Sequence, residues 1–471
     1  MANFYITTTL PYINAKPHLG FAWEILTADF IARYQRLLGN SVIFNTGTDE
    51  HGQKVYQKAV AAGLSAQAYT DQLVNDFKAL KELLDLSYTD FTRTTDKNHQ
   101  AAAQTFWKKC LENGDIYKKK YQSKYCVGCE LEKTDSELVE GHCPLHPQQT
   151  IEIREEENYF FRFSKYQEQL LYLYQTQPEL ILGQGKQKEI VSFVQGGLQD
   201  FSISRVKSKM PWGIPVPEDE EQVMYVWFDA LINYISVLGW PINEKKFAEF
   251  WPAVQICGKD NLRQQAAMWQ SMLISANLKT SKKILINGFI TVNGEKMSKS
   301  LGNVIAPADL VDKFGREATR FIIAGFPVYR EDVDITPTRL EDFYTANLVN
   351  GLGNLCSRLA KLASTVELAP LAAPESLSPN MAKACAAFQT SQALQTIIDG
   401  ISELDQVLSR EKPWLTTDTH AKAAQLQPLI AKLCQIAYDL QIFMPETSHI
   451  ILTHFLREKI EPLAPLFPRL K

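Results

Sequence analysis

The sequence predicts an α/β protein in which a parallel-sheet domain is interrupted by a cysteine-rich insert and followed by an all-helical C-terminal domain. Three observations carry this. Near the N-terminus, short β-branched and aromatic runs alternate with helical periods; a C-x2-C pair and a C-x2-H pair share one polar stretch; and beyond residue 345 no strand pattern recurs.

Phe4 to Thr9 reads as a strand, Leu10 to Phe21 as a loop, and Ala22 to Leu38 as a helix with Ile25, Leu26, Phe30, Ile31, Tyr34 and Leu38 at helical spacing. The loop delivers His18 and Gly20 to a helix N-terminus, where free backbone N–H groups and the helix dipole favour a phosphate. Gly20 is expected to let a ligand approach the backbone. A nucleotide site is therefore expected here, although H-x-G alone reads as an ordinary turn with a surface histidine. Val42 to Phe44 reads as a second strand leading into Thr46-Gly47-Thr48-Asp49-Glu50-His51-Gly52, where Asp49 is also a candidate helix cap. Residues 53–113 read as helices.

The insert follows. Cys126 and Cys129, then Cys143 and His146, form two hairpins that can place three sulfurs and one imidazole nitrogen tetrahedrally around zinc, with no position left open for water. A structural zinc is expected. Asn158 to Gly213 reads as the rest of the insert. Met224 to Phe228 reads as a buried strand, and Asp229 to Tyr234 as the start of the next helix. Val254 to Cys257 reads as a strand ending in Gly258-Lys259-Asp260, with a helix from Asn261 to Trp269. A later apolar strand and glycine-rich turn lead into Lys296-Met297-Ser298-Lys299-Ser300, which alone would read as a solvated loop. Residues 304–345 read as a connecting helical module. Helices are expected near 345–364, 381–410, 420–443 and 447–459, separated by Pro-containing linkers.

Composition narrows the class. With 471 residues, 45% of them hydrophobic, the chain can bury more than one core. No apolar run approaches a membrane span, and the N-terminus lacks a basic-then-apolar pattern, so a cytoplasmic protein is expected. Eight cysteines in so long a chain do not make a disulfide scaffold. A net charge of −4 does not advertise nucleic-acid binding, but phosphate contacts need only a local basic surface. Neither G-x-G-x-x-G nor G-x-x-x-x-G-K-[ST] occurs, which disfavours a dinucleotide dehydrogenase or a P-loop enzyme.

His18-Leu19-Gly20-Phe21 and Lys296-Met297-Ser298-Lys299-Ser300, in this order, resemble the two signature stretches of class I aminoacyl-tRNA synthetases. The chain is similar to the methionyl-tRNA synthetases in particular, through Thr46 to Gly52, Ser202 to Arg205, Tyr225 to Ala230, Gly258 to Asp260 and Lys412 to Trp414. The resemblance implies a Rossmann-like catalytic domain in two halves, 1–115 and 211–290, split by a connective insert at 116–210 whose zinc knuckle spans about 126–146. It further implies a lysine-loop and connecting module at 291–345 and an α-helical anticodon-binding domain at 346–471.

The implied reaction is ATP-dependent activation of L-methionine to methionyl-adenylate with release of pyrophosphate, then transfer to the 3′ end of tRNA(Met), initiator tRNA included. By resemblance, His18, Gly20, Lys296 and Lys299 are catalytic, and Phe21, Gly288 and Ser298 join them around ATP and its Mg²⁺. Leu10, Tyr12, Asp49, Trp227, Ala230, Leu231, Tyr234, Asn261, Gln265 and Trp269 would hold methionine, with Asp49 on its amino group. Arg205 would contact a carboxylate or phosphate, and Asn354, Arg358 and Trp414 would read the anticodon. Three positions depart from the usual pattern: Phe21 and Gln265, where histidine is common, and Asn261, where an apolar residue is. They motivate two rivals, a paralogue activating another amino acid and a catalytically silent tRNA-binding protein. The expected enzyme is a monomer without membrane attachment.

Overall fold

Among the described residues, six strands form one parallel sheet: β1 Asn3–Thr8, β2 Ser41–Thr48, β3 Asp90–Arg93, β4 Ile181–Leu182, β5 Val254–Gly258 and β6 Lys283–Asn287. Their order is β3-β2-β1-β5-β6-β4, with Ile6 opposite Phe44 on one side and Val254 on the other. Ile6, Phe44, Val254 and Ile284 are wholly buried, as expected of a sheet covered on both faces. The strand order reverses between β1 and β5, and ligands of such sheets bind outside the carboxyl ends at that switch.

The computed structural model describes residues 2–129, 131–133, 137–183, 185–297, 303–327 and 332–470. Ser298 and Lys299 lie outside the described residues. The chain forms two compact units. One gathers Met1–Pro17, Asn40–Ala79 and Tyr88–Asn287, and the other gathers His18–Gly39, Leu80–Ser87 and Gly288–Lys471.

In the first unit, Ile116–Cys126 pairs antiparallel with Glu152–Phe161 over ten positions, which carries Cys126 to the end of a long ribbon. Three expectations are corrected here. Residues 53–113, read as helices, contain the strand Asp90–Arg93, whose four residues are too few to show a period. Ile181–Leu182 lies inside the stretch assigned to the insert, yet it pairs with β6 as the edge of the main sheet. Two residues are too short to show a period, so nothing in the sequence marked this strand. Third, the strand Asp219–Met224 ends before Tyr225, and Val226–Leu231 is helical. A short apolar run fits either period; the helical one places Trp227, Ala230 and Leu231 on one face, at i, i+3 and i+4.

The second unit opens with helix α1, Leu19–Leu37, and continues with the helices Pro307–Phe314, Arg316–Gly325 and Pro337–Tyr344. Its bundle comprises Asn354–Ala363, Pro379–Ala386, Thr390–Glu411, Thr419–Leu440 and Pro445–Phe455. The helix expected over 381–410 breaks after Ala386, where Phe388 takes a left-handed φ of 58°. Arg320 is fully buried and ties this unit together. Its Nε donates to Phe443 O (2.7 Å), Nη1 to Leu84 O (2.8 Å) and Asp85 O (3.0 Å), and Nη2 to Asp29 Oδ2 (2.8 Å). A buried guanidinium is tolerable only with its donors engaged in this way.

Candidate active site

Beyond the carboxyl ends of β1 and β2 the two following loops remain zipped. Ile13 N–H donates to Asp49 O (2.9 Å) and Asp49 N–H to Pro11 O (3.0 Å), so Tyr12 and Asp49 form a bridge just past the sheet. Tyr12 Oη accepts from Val55 N (3.3 Å) in the first turn of the helix Gln53–Ala61. That helix is capped by Gly52, at φ 118°, so capping does not explain the buried Asp49.

Across the switch point stand the aromatic residues. Tyr234 and Trp269 are buried with ring centroids 5.8 Å apart, and Trp269 also stacks on Phe106 at 5.8 Å. Tyr5, on β1, donates to Tyr234 O (2.9 Å). Gln265 is 2% exposed; its Nε2 meets Tyr234 Oη, and its Oε1 has no hydrogen-bond partner. Its backbone lies in a π-helical turn, Gln264–Met268, rather than the α-helix expected, and such turns are frequent at functional sites. Leu10, Trp227, Ala230 and Asn261 are half-buried, and Leu231 is buried. Arg205 is held by its own neighbourhood: Nη1 donates to Ser202 Oγ (2.8 Å) and Ser204 O (2.7 Å), and the guanidinium lies 4.1 Å from the Tyr225 ring centroid.

Sequence reasoning missed a buried polar cluster on the same elements. Asp229 accepts from His51 Nδ1 (2.6 Å) and His99 Nε2 (2.7 Å), one histidine per carboxylate oxygen, and His99 Nδ1 lies 3.1 Å from Ser236 Oγ. Burial by itself would raise the Asp229 carboxyl; the two imidazoles instead hold it below the ordinary carboxylate value. Glu50 is likewise bound by Arg93, through Nε (2.7 Å) and Nη2 (2.8 Å). The signals were His51 and Glu50 in the stretch Thr46 to Gly52 and Asp229 in Tyr225 to Ala230, none of them with a role.

In the second unit, His18 is the N-cap of α1, and its Nδ1 accepts from Gly20 N (3.1 Å). Leu19 N–H donates to Ile305 O (3.0 Å), just past the lysine segment. The expectation of free N–H groups for a phosphate is therefore corrected at these two residues, because a capping side chain and a neighbouring carbonyl already occupy them. Gly20 serves the histidine directly: a Cβ there would stand 3.0 Å from His18 Cε1 and 4.0 Å from Met297 Cε. The two signature stretches thus meet within one unit, with exposed His18 at their junction. Phe21 is buried, and Gly288 is half-buried ahead of the hairpin Ile290–Val292 and Glu295–Lys296. Asp334 Oδ1 anchors that hairpin, accepting from Thr291 Oγ1 (2.8 Å) and Gly294 N (2.7 Å).

At the end of the insert ribbon the ligand atoms of Cys126, Cys129, Cys143 and His146 lie within 4.8 Å of one another. Cys129 Sγ is 3.2 Å from His146 Nδ1 and 3.3 Å from Cys143 Sγ. A Cβ on Gly128 would stand 2.4 Å from the His146 ring, so only glycine lets the second hairpin close over the first. The cluster could hold a metal ion. In the bundle, Arg358 pairs with Asp405 and lies 5.8 Å from the ring of Trp414, which is 45% exposed, while Asn354 is exposed at the start of the same helix as Arg358.

A parallel sheet with a switch point, joined to a helical unit that brings an H-x-G helix start against a lysine segment, defines a class I aminoacyl-tRNA synthetase. The family model described as "tRNA synthetases class I (M)" matches residues 4–152 and 145–360. The methionine–tRNA ligase of Thermosynechococcus vestitus is 44% identical over 77% of this chain and 69% of its own length. That of Rhizobium meliloti is 38% identical over 94% of this chain and 90% of its own. The structure of Mycobacterium tuberculosis methionyl-tRNA synthetase in complex with methionyl-adenylate superposes with a TM-score of 0.91 at 32% identity, covering all of both chains. The chain belongs to the methionine–tRNA ligase family of class I synthetases.

Proposed function

We infer that the enzyme activates L-methionine with ATP and transfers it to the 3′ end of tRNA(Met), initiator tRNA included. The observation that carries this is the junction of both signature stretches in a chain whose relatives are methionine–tRNA ligases. The methionine carboxylate attacks the α-phosphorus, the bond to pyrophosphate breaks, and the adenylate then esterifies a terminal tRNA hydroxyl. Neither partner of the first step needs a general base. Catalysis rests on alignment and on neutralising charge at phosphorus and on departing pyrophosphate. His18, Lys296 and Lys299 serve that task, with Gly20 leaving room for the His18 ring and with Phe21, Gly288 and Ser298 around an ATP that carries Mg²⁺ on its phosphates.

Asp49 takes the substrate ammonium, and Leu10, Tyr12, Trp227, Ala230, Leu231, Tyr234, Asn261, Gln265 and Trp269 surround the thioether, which gains from dispersion and sulfur–aromatic contact. Arg205 faces the substrate carboxylate or a phosphate. Asn354, Arg358 and Trp414 read the anticodon; an exposed tryptophan beside an arginine can stack a splayed base. The enzyme acts as a monomer in the cytoplasm. Among the described residues, no helix is long and apolar enough to cross a membrane. The domain organisation proposed is a catalytic domain in halves 1–115 and 211–290 that also takes its edge strand Ile181–Leu182 from the intervening stretch 116–210, whose remainder is the insert, then a lysine-loop module at 291–345 and an anticodon-binding domain at 346–471. ATP–pyrophosphate exchange across the twenty amino acids tests the reading: methionine must drive the fastest exchange.

The metal of the Cys3His cluster is zinc, held structurally because four protein ligands leave no open position. Metal analysis should find one zinc per chain, and Cys126→Ser should release it and loosen roughly residues 116–150, since metal loss is coupled to local unfolding. Protein purified without chelator yet free of zinc would refute this.

The buried, unpartnered Oε1 of Gln265 favours one rival, a paralogue whose pocket binds a polar side chain. Its Nε2 contact to Tyr234 supports the methionine reading, because a buried amide with neither end paired would cost about 1–3 kcal/mol. The wild type should prefer methionine over leucine and glutamine by at least ~100-fold in kcat/KM, equivalent to ~2.7 kcal/mol, and Gln265→His should keep that preference. A polar amino acid that outpaces methionine in the wild type and loses its lead in Gln265→His would establish the rival.

A further inference from the structure

We propose that Asp229 is a positioning residue that sets the spacing between the amino-group end and the side-chain end of the methionine pocket, acting through His51 and His99. This rests on the methionine reading above. The two ends come from separate stretches of chain. Asp49 lies two residues before His51, on the loop leaving β2, whereas Trp227, Ala230 and Leu231 share the helix Val226–Leu231 with Asp229. No covalent path shorter than 178 residues joins His51 to Asp229, yet the two side chains meet at 2.6 Å.

The geometry leaves little play. Asp229 is wholly buried, and each carboxylate oxygen takes one imidazole N–H. An ionised carboxylate only accepts, so the nitrogens facing it must carry protons, which fixes the orientation of both rings. The His51 ring is also packed edge-on against Trp212, 5.2 Å between centroids, and Trp212 Nε1 donates to Glu50 O (2.6 Å) beside Asp49. On the other side, His99 comes from the helix Lys97–Glu112 and also meets Ser236, one turn beyond Leu231 and Ile232. Three elements converge on one carboxylate, and it is the one acid on the helix that carries Trp227, Ala230 and Leu231. A charge this deeply buried is expensive unless fully paired, so its partners cannot drift apart without large cost.

Asp229→Asn keeps the shape but turns a donor toward one imidazole. It should raise KM for methionine ~10-fold or more, leave KM for ATP within ~2-fold, and lower kcat less than kcat/KM, since a small misplacement of one pocket wall is costly. The inhibition constant of 4-(methylthio)butanoate, which has the thioether but no amino group, should change by less than ~2-fold, because one-ended binding does not sense the spacing. A collapsed pocket would weaken both ligands alike, and that result overturns the proposal, as does an unchanged methionine KM. If Asp229→Asn does not fold, His99→Gln, which leaves the His51 bond in place, should show the same pattern at smaller size, and an unchanged methionine KM there equally overturns it. Wild-type protein that fails to exchange with methionine at all would instead refute the functional reading.

Discussion

Arg320→Ala should lower the stability of the C-terminal unit by about 3–5 kcal/mol, the usual cost of removing one partner from a buried charge pair. The loss is not confined to the Asp29 ion pair. Main-chain carbonyls of Leu84 and Phe443 would lose the Arg320 donor, and that of Asp85 would keep only Arg33, in a region where Arg320 and Asp29 are both fully buried. Asp29 would keep only Arg33 as a cationic partner, 2.7 Å from its Oδ2, with Ser87 donating to the other oxygen. The pH dependence has a definite sign. Burial pushes the Asp29 carboxyl up, but Arg320 and Arg33 together hold it below the ordinary value. A depressed folded pKa contributes stability that is present above the unfolded carboxylate value of ~3.9 and is lost as pH falls through the lower folded value. The variant, with less depression, should unfold at higher pH than wild type during acid titration. Urea unfolding at neutral pH and at about pH 3, below the unfolded carboxylate value, measures both effects, and equal midpoints for variant and wild type would contradict the assignment.

Lys299→Ala should slow adenylate formation by ~10²-fold or more while methionine affinity changes little, as when a developing phosphate charge loses its partner. A ground-state role would appear differently, as weaker ATP binding with normal chemistry. Single-turnover rates of adenylate formation at saturating ATP separate the two. An unchanged rate would remove Lys299 from the reaction, and a large fall in methionine affinity would place it at the other end of the site.

Legibility in the sequence followed distance along the chain. The Cys3His cluster was readable because its four ligands fall in two short hairpins, so spacing alone carries the geometry. The helix start was read three residues late, at Ala22 instead of Leu19, because Gly20 looks like loop, and the carbonyl that occupies the Leu19 N–H comes from Ile305 and could not be seen. The pairing of Gln265 with Tyr234 spans 31 residues, and no local spacing singles out that partner. The Asp229 cluster was invisible: its bonds span 178 and 130 residues, and each member taken alone looks like an ordinary buried or capping residue. The misplaced strand at Met224 to Phe228 has another cause, since a short apolar run carries no period that separates strand from buried helix.

Arg320 and Asp29 are 291 residues apart, and that separation bears on how the protein is made. During translation at ~5–20 residues per second, the segment carrying His18 and Asp29 leaves the ribosome roughly 15–60 s before Arg320 exists. The sheet around β1 and β2 must then gather its later strands while the helix between them still lacks the rest of its own unit. Phe30, almost wholly buried in the finished protein between the Phe443 ring at 4.9 Å and the Arg320 guanidinium at 5.2 Å, cannot gain that cover until both have been made, and exposed apolar surface of this kind is what makes nascent chains prone to aggregate.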